Sequence, residues 1–552
     1  MTSTTSLACG KHPLGIRPLG NVLLEDGQNF RAQGLGRLAR LEDAFILQFI
    51  IEWLDVRSLV ALSRVSRMLY ALTSVPYIWR EYYFREFGDE ITHWPGSWRA
   101  VYASASCARR GWKDEACIKA AATWQVKATH VYSDALFREF MLASFDPRDF
   151  LEQHAEREHR RLQRTRKIRT DNPPEGPLLS DNLPRVDVRH TSLQTFTDTY
   201  ARPGQPCILV HATDDWPCRT WSLEHIGACW GERMFQAEAM RVSGRAYMEY
   251  VRSPGGGGMS TVDAGVVPDI SPSYLFDSDV AAQEPDAASG WRVPALIGQC
   301  DIGVKSEGMH RDAEERTRAD LFSLLGDQRP DYRWLIAGPA RSGSGWHKDP
   351  NMTSAWNAVM HGSKYWMMLP PTTPPPGVFV SRDQSEVTAP ASLSEWMLDF
   401  YAETKAKHGR RECGGDGKLL EGVCHAGEVV YVPSGWWHLV INLEESVALT
   451  QNFVSVVELP AVLSFMKYTP DQISGFRTGT SKASVFETFS AQLRAHDAEL
   501  AESSLAAMPI PRNREAHSQC DWRQRLCDTE SATTWSLADV VEEDELGDVP
   551  WS

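Results

Sequence analysis

Apolar and polar residues alternate through residues 332–370, YRWLIAGPARSGSGWHKDPNMTSAWNAVMHGSKYWMMLP, and the alternation breaks at glycine-rich turns. A period of two commits such a stretch to strands that press one face on a core, so the surrounding chain must supply a sheet. The same stretch sets His347 and Asp349 two residues apart, and along a strand residues two apart share a face. An imidazole and a carboxylate so placed can hold two sites of one metal ion if a third ligand arrives from elsewhere. The GWWH segment, at His438, offers that ligand.

The segments around these residues read as strands too. In TSAWNAVMHGSKYWMMLP a hairpin turn falls at His361-Gly362-Ser363, and the return strand carries Lys364, Trp366 and Met368 on one face. Residues 427–433 make a further strand, Ser434-Gly435 turns, and 436–440 starts the strand that contains His438. SVALTQNF, 446–453, follows with Thr450 and Asn452 on one face. The long separation of His347 from His438 suits a barrel, with the ligands on different strands across one core. Two His and one carboxylate on one octahedral face form the triad suited to non-haem Fe(II), with three positions left open. Two of those can chelate the 2-oxo-acid end of 2-oxoglutarate and the third can take O2. The far carboxylate then needs a cation, for which Lys364 is the candidate. An HxD alone is weak in a chain with 16 His, and strand context supplies the specificity. Cys413, Cys424 and His425 are a lesser, zinc-like grouping whose spacing fits no standard site. His361 and His425 read as ordinary polar residues.

At 552 residues the chain has room for two to four domains and a sizeable core. Its net charge of −15 disfavours general nucleic-acid binding and suits a basic protein partner, so a Lys/Arg-rich protein substrate is expected. The 11 Cys are scattered without a CxxC pair, which reads as reduced thiols inside the cell. No apolar run is long enough to span a bilayer and the first residues show no secretory signal, so no membrane partner is expected. The expected location is the nucleus or the cytoplasm, the nucleus slightly ahead. Arg157, Arg160, Arg161 and Arg164 recur at helical spacing; a solvated helix face is the plain reading and a nuclear import signal the sharper one.

Residues 1–40 are glycine-rich and read as a flexible N-terminus. From 41 to 88 three short helices are expected. The first carries Phe45, Phe49, Ile50, Trp53 and Leu54 on one face, and Asp55 caps the next, which carries Leu59, Leu62, Val65, Ser66 and Leu69. Pro76 opens the third, with Trp79, Tyr82 and Phe87. The LVALSRVSR centre and the Pro76-to-Trp79 ending resemble an F-box, though Glu42 stands where that family carries proline. The resemblance implies docking of 41–88 on a Skp-type adaptor of a cullin ubiquitin ligase. Trp94, Trp98, Trp112 and Trp124 mark 89–183 as a helical extension with a basic linker.

Over 184–457 a helix at 192–200, a strand at 207–210, a turn at Trp216, a mobile four-glycine loop at 255–258, YLFD and YRWLIAGP precede the metal strand. This order resembles the Jumonji-C (JmjC) oxygenases, most of all the branch described as bifunctional arginine demethylase and lysyl hydroxylase. The resemblance implies a multidomain α+β chain: an F-box helical bundle, then a double-stranded β-helix (cupin or jelly-roll) JmjC domain with flanking helices. It implies Fe(II) on His347, Asp349 and His438, and 2-oxoglutarate on Lys364, Thr450, Asn357 and Ser344, a serine where the family has threonine. Tyr274 is implied at the substrate mouth. Residues 370–426 form an insertion with a helix at 394–407 and a flexible loop at 410–417. Helices at 458–505 resemble those that flank or dimerise the family, and 506–552 is an acidic tail expected to be disordered. The implied activity is lysyl hydroxylation of a protein, or demethylation of N-methyl arginine or lysine. The alternative is an F-box adaptor that uses the JmjC domain as a reader module.

Overall fold

A computed structural model describes residues 12–23, 28–112, 115–123, 126–166, 181–258, 266–284, 287, 290–297, 320–381, 384–476 and 481–510. Before the first expected barrel strands come β1 (Glu90–Ile91), β2 (Arg185–Asp187), β3 (Cys207–Val210), β4 (Met234–Ala237), β5 (Met240–Ser243) and β6 (Leu275–Asp277). Then follow β7 (Arg333–Gly338), β8 (Gly343–His347), β9 (Ser354–His361), β10 (Ser363–Leu369), β11 (Phe379–Val380) and β12 (Val387–Thr388). The last are β13 (Leu420–His425), β14 (Val429–Val432), β15 (Trp437–Asn442) and β16 (Ser446–Phe453).

One sheet runs β1-β5-β4-β6-β7-β16-β9-β14-β3-β2 and the other β13-β10-β15-β8, with β11 and β12 forming a separate ribbon. The inner faces of the two large sheets meet in an apolar layer that includes Ile336, Val359, Trp366, Met368, Val430 and Ala448. This is the jelly-roll architecture the alternation predicts. Every residue of β10 is buried. Its outer residues Tyr365, Met367 and Leu369 pack against Trp396, Met397 and Tyr401 of the helix Leu393–His408, which the insertion supplies. Two covered faces explain why SKYWMML reads as a nearly continuous apolar run.

In the first of the three helices the apolar face read from the sequence is not the buried one, whereas Leu59 and Leu69 of the second and Trp79 and Tyr82 of the third are buried as expected. Ile46, Leu47, Ile51 and Leu59 form the core, while Phe49 is 60% and Trp53 79% exposed, with Phe45 and Val65 also outside. The helix Asp43–Phe49 ends early, and a 3-10 turn at Ile51–Trp53 changes the angular step per residue. A helical wheel drawn through that break assigns the wrong face. The N-terminus also departs from expectation. Leu14, Ile16 and Leu35 are buried, Arg17 bridges to Tyr132, and the Arg31 guanidinium pairs with Asp43 at 2.9 Å, so 12–23 and 28–40 are packed chain.

The four-glycine stretch is likewise no mobile loop. A Cβ on Gly256 would sit 2.7 Å from Tyr250, and one on Gly257 would sit 2.7 Å from Pro339. On Gly255 it would strike the Gly96 carbonyl. Glycine is present here because three segments close on the backbone, not because the chain must flex. The loop expected at 410–417 is tied as well, by Gly417 N–H to the Gly409 carbonyl and His408 to Asp416, at 3.0 and 3.1 Å. The helical region and the outer face of the larger sheet share one apolar cluster, from Ile46 through Trp98 to Phe453.

The helices Leu459–Tyr468, Val485–His496 and Ala498–Ala506 bury their apolar faces on one another and on the turn Leu321–Gln328. Those apolar faces are thus used within one chain. Arg157 and Arg160 lie exposed on the helix Pro147–Arg166, where Arg160 pairs with Glu156. The expected acidic tail lies outside the described residues beyond 510. No described helix is long and apolar enough to cross a membrane. If the glycine run is a packing device, Gly256→Ala lowers unfolding free energy by about 1–3 kcal/mol in a denaturant titration. A mobile loop would tolerate the change.

Candidate metal centre

Strands β8 and β15 pair antiparallel with His347 directly opposite His438. Opposed residues on neighbouring strands share a face, so register alone brings two imidazoles together, their ring centroids 4.1 Å apart. His347 Nδ1 lies 2.7 Å from the Gly345 carbonyl and His438 Nδ1 lies 3.1 Å from that of Trp436. Each carbonyl takes the Nδ1 proton and leaves the Nε2 lone pair free to ligate. Burial holds the His438 imidazolium well out of reach at neutral pH, with the neighbouring His347 adding to the effect.

Asp349 lies just past the end of β8, precedes the turn Pro350–Met352 without a capping hydrogen bond from its side chain, and keeps an extended backbone. Asn351 and Met352 then take left-handed φ values of 56° and 59°, which swing the chain away from the ligands. Asn351 is pinned through its side chain to Ser474. The Asn452 side chain hydrogen-bonds the Asp349 carboxylate and also donates to Thr353 Oγ1 at 2.8 Å. Burial raises the Asp349 carboxyl, and His347 and then Asn452 oppose it. One ligand atom from each of His347, Asp349 and His438 lies within 4.8 Å of the others, the one such cluster among the described residues.

Deeper in the barrel, β10 pairs with β15 so that Met368 faces His438 and Lys364 faces Asn442. Four residues of strand, about 13 Å, separate those two levels, which leaves room for a short dicarboxylate. Lys364 is fully buried; its Nζ donates to Tyr274 Oη at 2.8 Å and Asn442 Oδ1 at 2.7 Å. Burial pulls its ammonium down to about 7. Tyr274 is 5% exposed, so the residue expected at the mouth sits in the depth, because its own hydroxyl is what the lysine donates to.

Asn357 and Thr450 face each other across β9 and β16. The Thr450 hydroxyl donates to the Trp356 carbonyl at 2.9 Å, so its proton is spent within the sheet and only lone pairs face the pocket. Ser344 lies three residues before His347, and strict alternation would put it on the opposite face. A register shift between His438 and Val440 pairs Ser344 with Val440 and returns it to the ligand side.

Three buried polar atoms in this region lack a partner: Asp349 Oδ2, Asn357 Oδ1 and Trp366 Nε1. Unpaired buried polar atoms are costly; Asp349 belongs to the triad, and Trp366 lies on β10 between Lys364 and Met368. A donor set of two imidazoles and a carboxylate fits Fe(II), and a cation one strand-length away fits the far carboxylate of 2-oxoglutarate. The zinc-like grouping is not assembled: Cys424 is buried opposite Lys364, while Cys413 hydrogen-bonds Glu158 at 3.3 Å. Sequence reasoning gave no role to Asn442 or Asn452. Asn452 was visible by its period-two relation to Thr450, whereas Asn442 had no local signal because its role comes from register.

Residues 334–453 match the model of the JmjC domain, hydroxylase, and residues 46–85 match the F-box-like model. The chain is 34% identical over 456 residues to "Arginine-specific demethylase JMJ22" of Arabidopsis thaliana, covering 82% of this chain and 75% of that one. It is 30% identical over 302 residues to "Bifunctional arginine demethylase and lysyl-hydroxylase psr-1" of Caenorhabditis briggsae, covering 52% and 65%. It is 32% identical over 142 residues to "2-oxoglutarate and iron-dependent oxygenase JMJD4" of Homo sapiens, covering 25% and 30%.

A divalent metal that binds only the folded chain stabilises it, by about 2.7 kcal/mol at a hundredfold excess over Kd. Mn(II) is therefore expected to raise the melting temperature of wild type and not of His347→Ala. Asn452→Ala is expected to weaken Mn(II) binding roughly ten- to hundredfold, read by electron paramagnetic resonance, because it frees the Asp349 carboxylate to turn.

Proposed function

The chain belongs to the JmjC hydroxylase family, and from that footing we propose that it is an Fe(II)- and 2-oxoglutarate-dependent dioxygenase of protein side chains. The observation that carries this is the cross-strand pair His347 and His438 with Asp349 beside them, and Lys364 on the same sheet. In this reading His347, Asp349 and His438 hold the iron, and Lys364 binds the far carboxylate of 2-oxoglutarate. Asn357, Ser344 and the Trp366 indole line the space between.

When bound, iron, 2-oxoglutarate and O2 supply the oxidation: the co-substrate becomes succinate and CO2, and one oxygen atom enters a substrate C–H bond. The protein's part is positional. The Gly345 and Trp436 carbonyls keep both imidazoles in the ligating tautomer, and Asn452 orients the carboxylate. Trp366, stacked near His438, and the apolar inner layer keep bulk water from the reacting centre. A hydroxyl placed on a lysyl carbon is a stable product. Placed on an N-methyl group it leaves as formaldehyde, which is demethylation.

Phe276, 40% exposed, packs on Trp334 with ring centroids 5.2 Å apart, and Trp334 is the cross-strand neighbour of Thr450. An aromatic shelf beside the pocket favours a cationic side chain such as lysine or methylated arginine. This supports a Lys/Arg-rich protein substrate. The exposed Phe45, Phe49, Trp53 and Val65 support docking of the F-box-like region on a Skp-type adaptor, since they are the apolar residues its own core leaves out. Such docking would add a partner to the oxygenase and does not replace its chemistry.

Purified protein given Fe(II), 2-oxoglutarate, ascorbate and a Lys/Arg peptide library should release succinate, and His347→Ala should not. Equal background from both would refute the enzyme. Mass spectrometry of the peptides separates a gain of oxygen from loss of methyl. In an adaptor pulldown, Phe49→Ala with Trp53→Ala should lose binding without loss of folding, which the buried Leu59 could not test.

The state of Lys364 sets a pH dependence. Only the ammonium binds the dicarboxylate, and burial leaves it at about 7 before binding. Affinity for 2-oxoglutarate is therefore full below that pH and falls about tenfold per unit above it, until the bound-state value is reached. Lys364→Met should bind weakly at every pH and show no such slope.

A further inference from the structure

Among the described residues Lys364 has no carboxylate partner, and its two hydrogen bonds go to neutral oxygens of Tyr274 and Asn442. Asn442 is wholly buried and held on several sides. Its Nδ2 donates to Ser342 Oγ at 2.9 Å, and that hydroxyl donates to the Pro339 carbonyl at 2.7 Å. Its backbone N–H donates to the Ser342 carbonyl at 2.8 Å, and its carbonyl accepts from Arg341 N–H at 3.0 Å. With Nδ2 so engaged, Oδ1 is the atom presented to the lysine.

The turn that fixes Asn442 is itself anchored outside the barrel. Arg341 is 1% exposed and adopts a left-handed φ of 75°, a conformation that costs energy in a residue with a side chain. Its Nη1 donates to the Asp269 carbonyl at 2.9 Å. The Asp269 carboxylate accepts from Trp98 Nε1 at 2.9 Å and Tyr250 Oη at 2.7 Å. Trp98 opens the helix Trp98–Arg109 in the helical extension. On the other side of the turn, Pro339 fills the space left by the missing side chain of Gly257. An unbroken set of buried hydrogen bonds thus runs from the helical region to the lysine.

We propose that the helical region braces the co-substrate site through this strut, with Asn442 the positioning residue for Lys364 and the Arg341 turn, seated on Asp269 and Trp98, the positioning element for Asn442. The proposal rests on the reading of Lys364 as the cation that binds 2-oxoglutarate. It places control of 2-oxoglutarate affinity, but not of metal affinity, in the helical extension, whose Trp98 packs against Phe84 of the F-box-like bundle.

The test uses the full chain loaded with Mn(II), which does not turn over. 2-Oxoglutarate is titrated by calorimetry and Mn(II) affinity is followed by electron paramagnetic resonance. Asn442→Leu should raise the 2-oxoglutarate Kd about tenfold or more, and Ser342→Ala about threefold, with Mn(II) affinity unchanged. In Asn442→Leu the pH above which 2-oxoglutarate affinity falls should move down, since a neutral acceptor for the ammonium is gone. Trp98→Phe should raise the Kd about threefold in wild type and add nothing in Asn442→Leu, because one strut is broken once. Wild-type affinity in Lys364→Met would overturn the reading of Lys364, and the proposal with it. Weak binding by Lys364→Met beside wild-type binding by Asn442→Leu and Ser342→Ala would overturn the proposal alone. So would independent, multiplying effects of Trp98→Phe and Asn442→Leu, or a parallel loss of Mn(II) affinity.

Discussion

The register of β8 against β15 is the constraint on which the rest depends. A slip of one residue would turn His438 away from His347 and send every side chain of the strand to the opposite face. Register is strongly held only where a slip would bury the wrong residues, and here both faces of the smaller sheet are covered. The inner layer lies on one side and the Trp396–Tyr401 helix face on the other. The insertion between the metal strands therefore does more than border a pocket. By covering the outer face of β10 and β15 it makes the ligand register costly to lose.

Within that frame the site concentrates what folding alone would avoid. A lysine is buried with neutral partners, a carboxylate oxygen, an amide oxygen and an indole N–H are left unpaired, and Met352 takes a left-handed backbone. Each departure costs stability on its own. Together they outline a metal flanked by a short anion, and the departures become complementary once both are bound. Local rule-breaking gathered at one place is the usual mark of a functional site.

The helical region shows a different imbalance. Its core takes in Ile46, Leu47, Ile51, Leu59, Leu69 and Trp79, yet Phe49 and Trp53 stay outside, and the proposed adaptor docking rests on that exposure. The same region is welded to the oxygenase through a shared apolar cluster and through Asp269, buried between Trp98 and Tyr250. A partner docked on the helices would act on a body continuous with the barrel, without a flexible hinge among the described residues between them.

Much of the barrel was legible in the chain because period-two alternation, turn glycines and an HxD are local signals. The triad residues, Lys364 and the strand at Cys207–Val210 followed from them. Where the residue-level reading failed, the deciding fact was non-local. The glycine run 255–258 looks like a linker until Gly96, Tyr250 and Pro339 close on it. Tyr274, placed at the mouth by the family resemblance alone, lies in the depth where Lys364 donates to it, and Asn442 has no signature until register sets it opposite that lysine. By itself the sequence determined which residues could ligate, which segments could be strands, and which families it resembles, since composition and spacing encode those choices directly. Only the tertiary structure decided which apolar face is outside, how the helical region is joined to the barrel and what holds Lys364, because each depends on contacts between segments far apart in the chain.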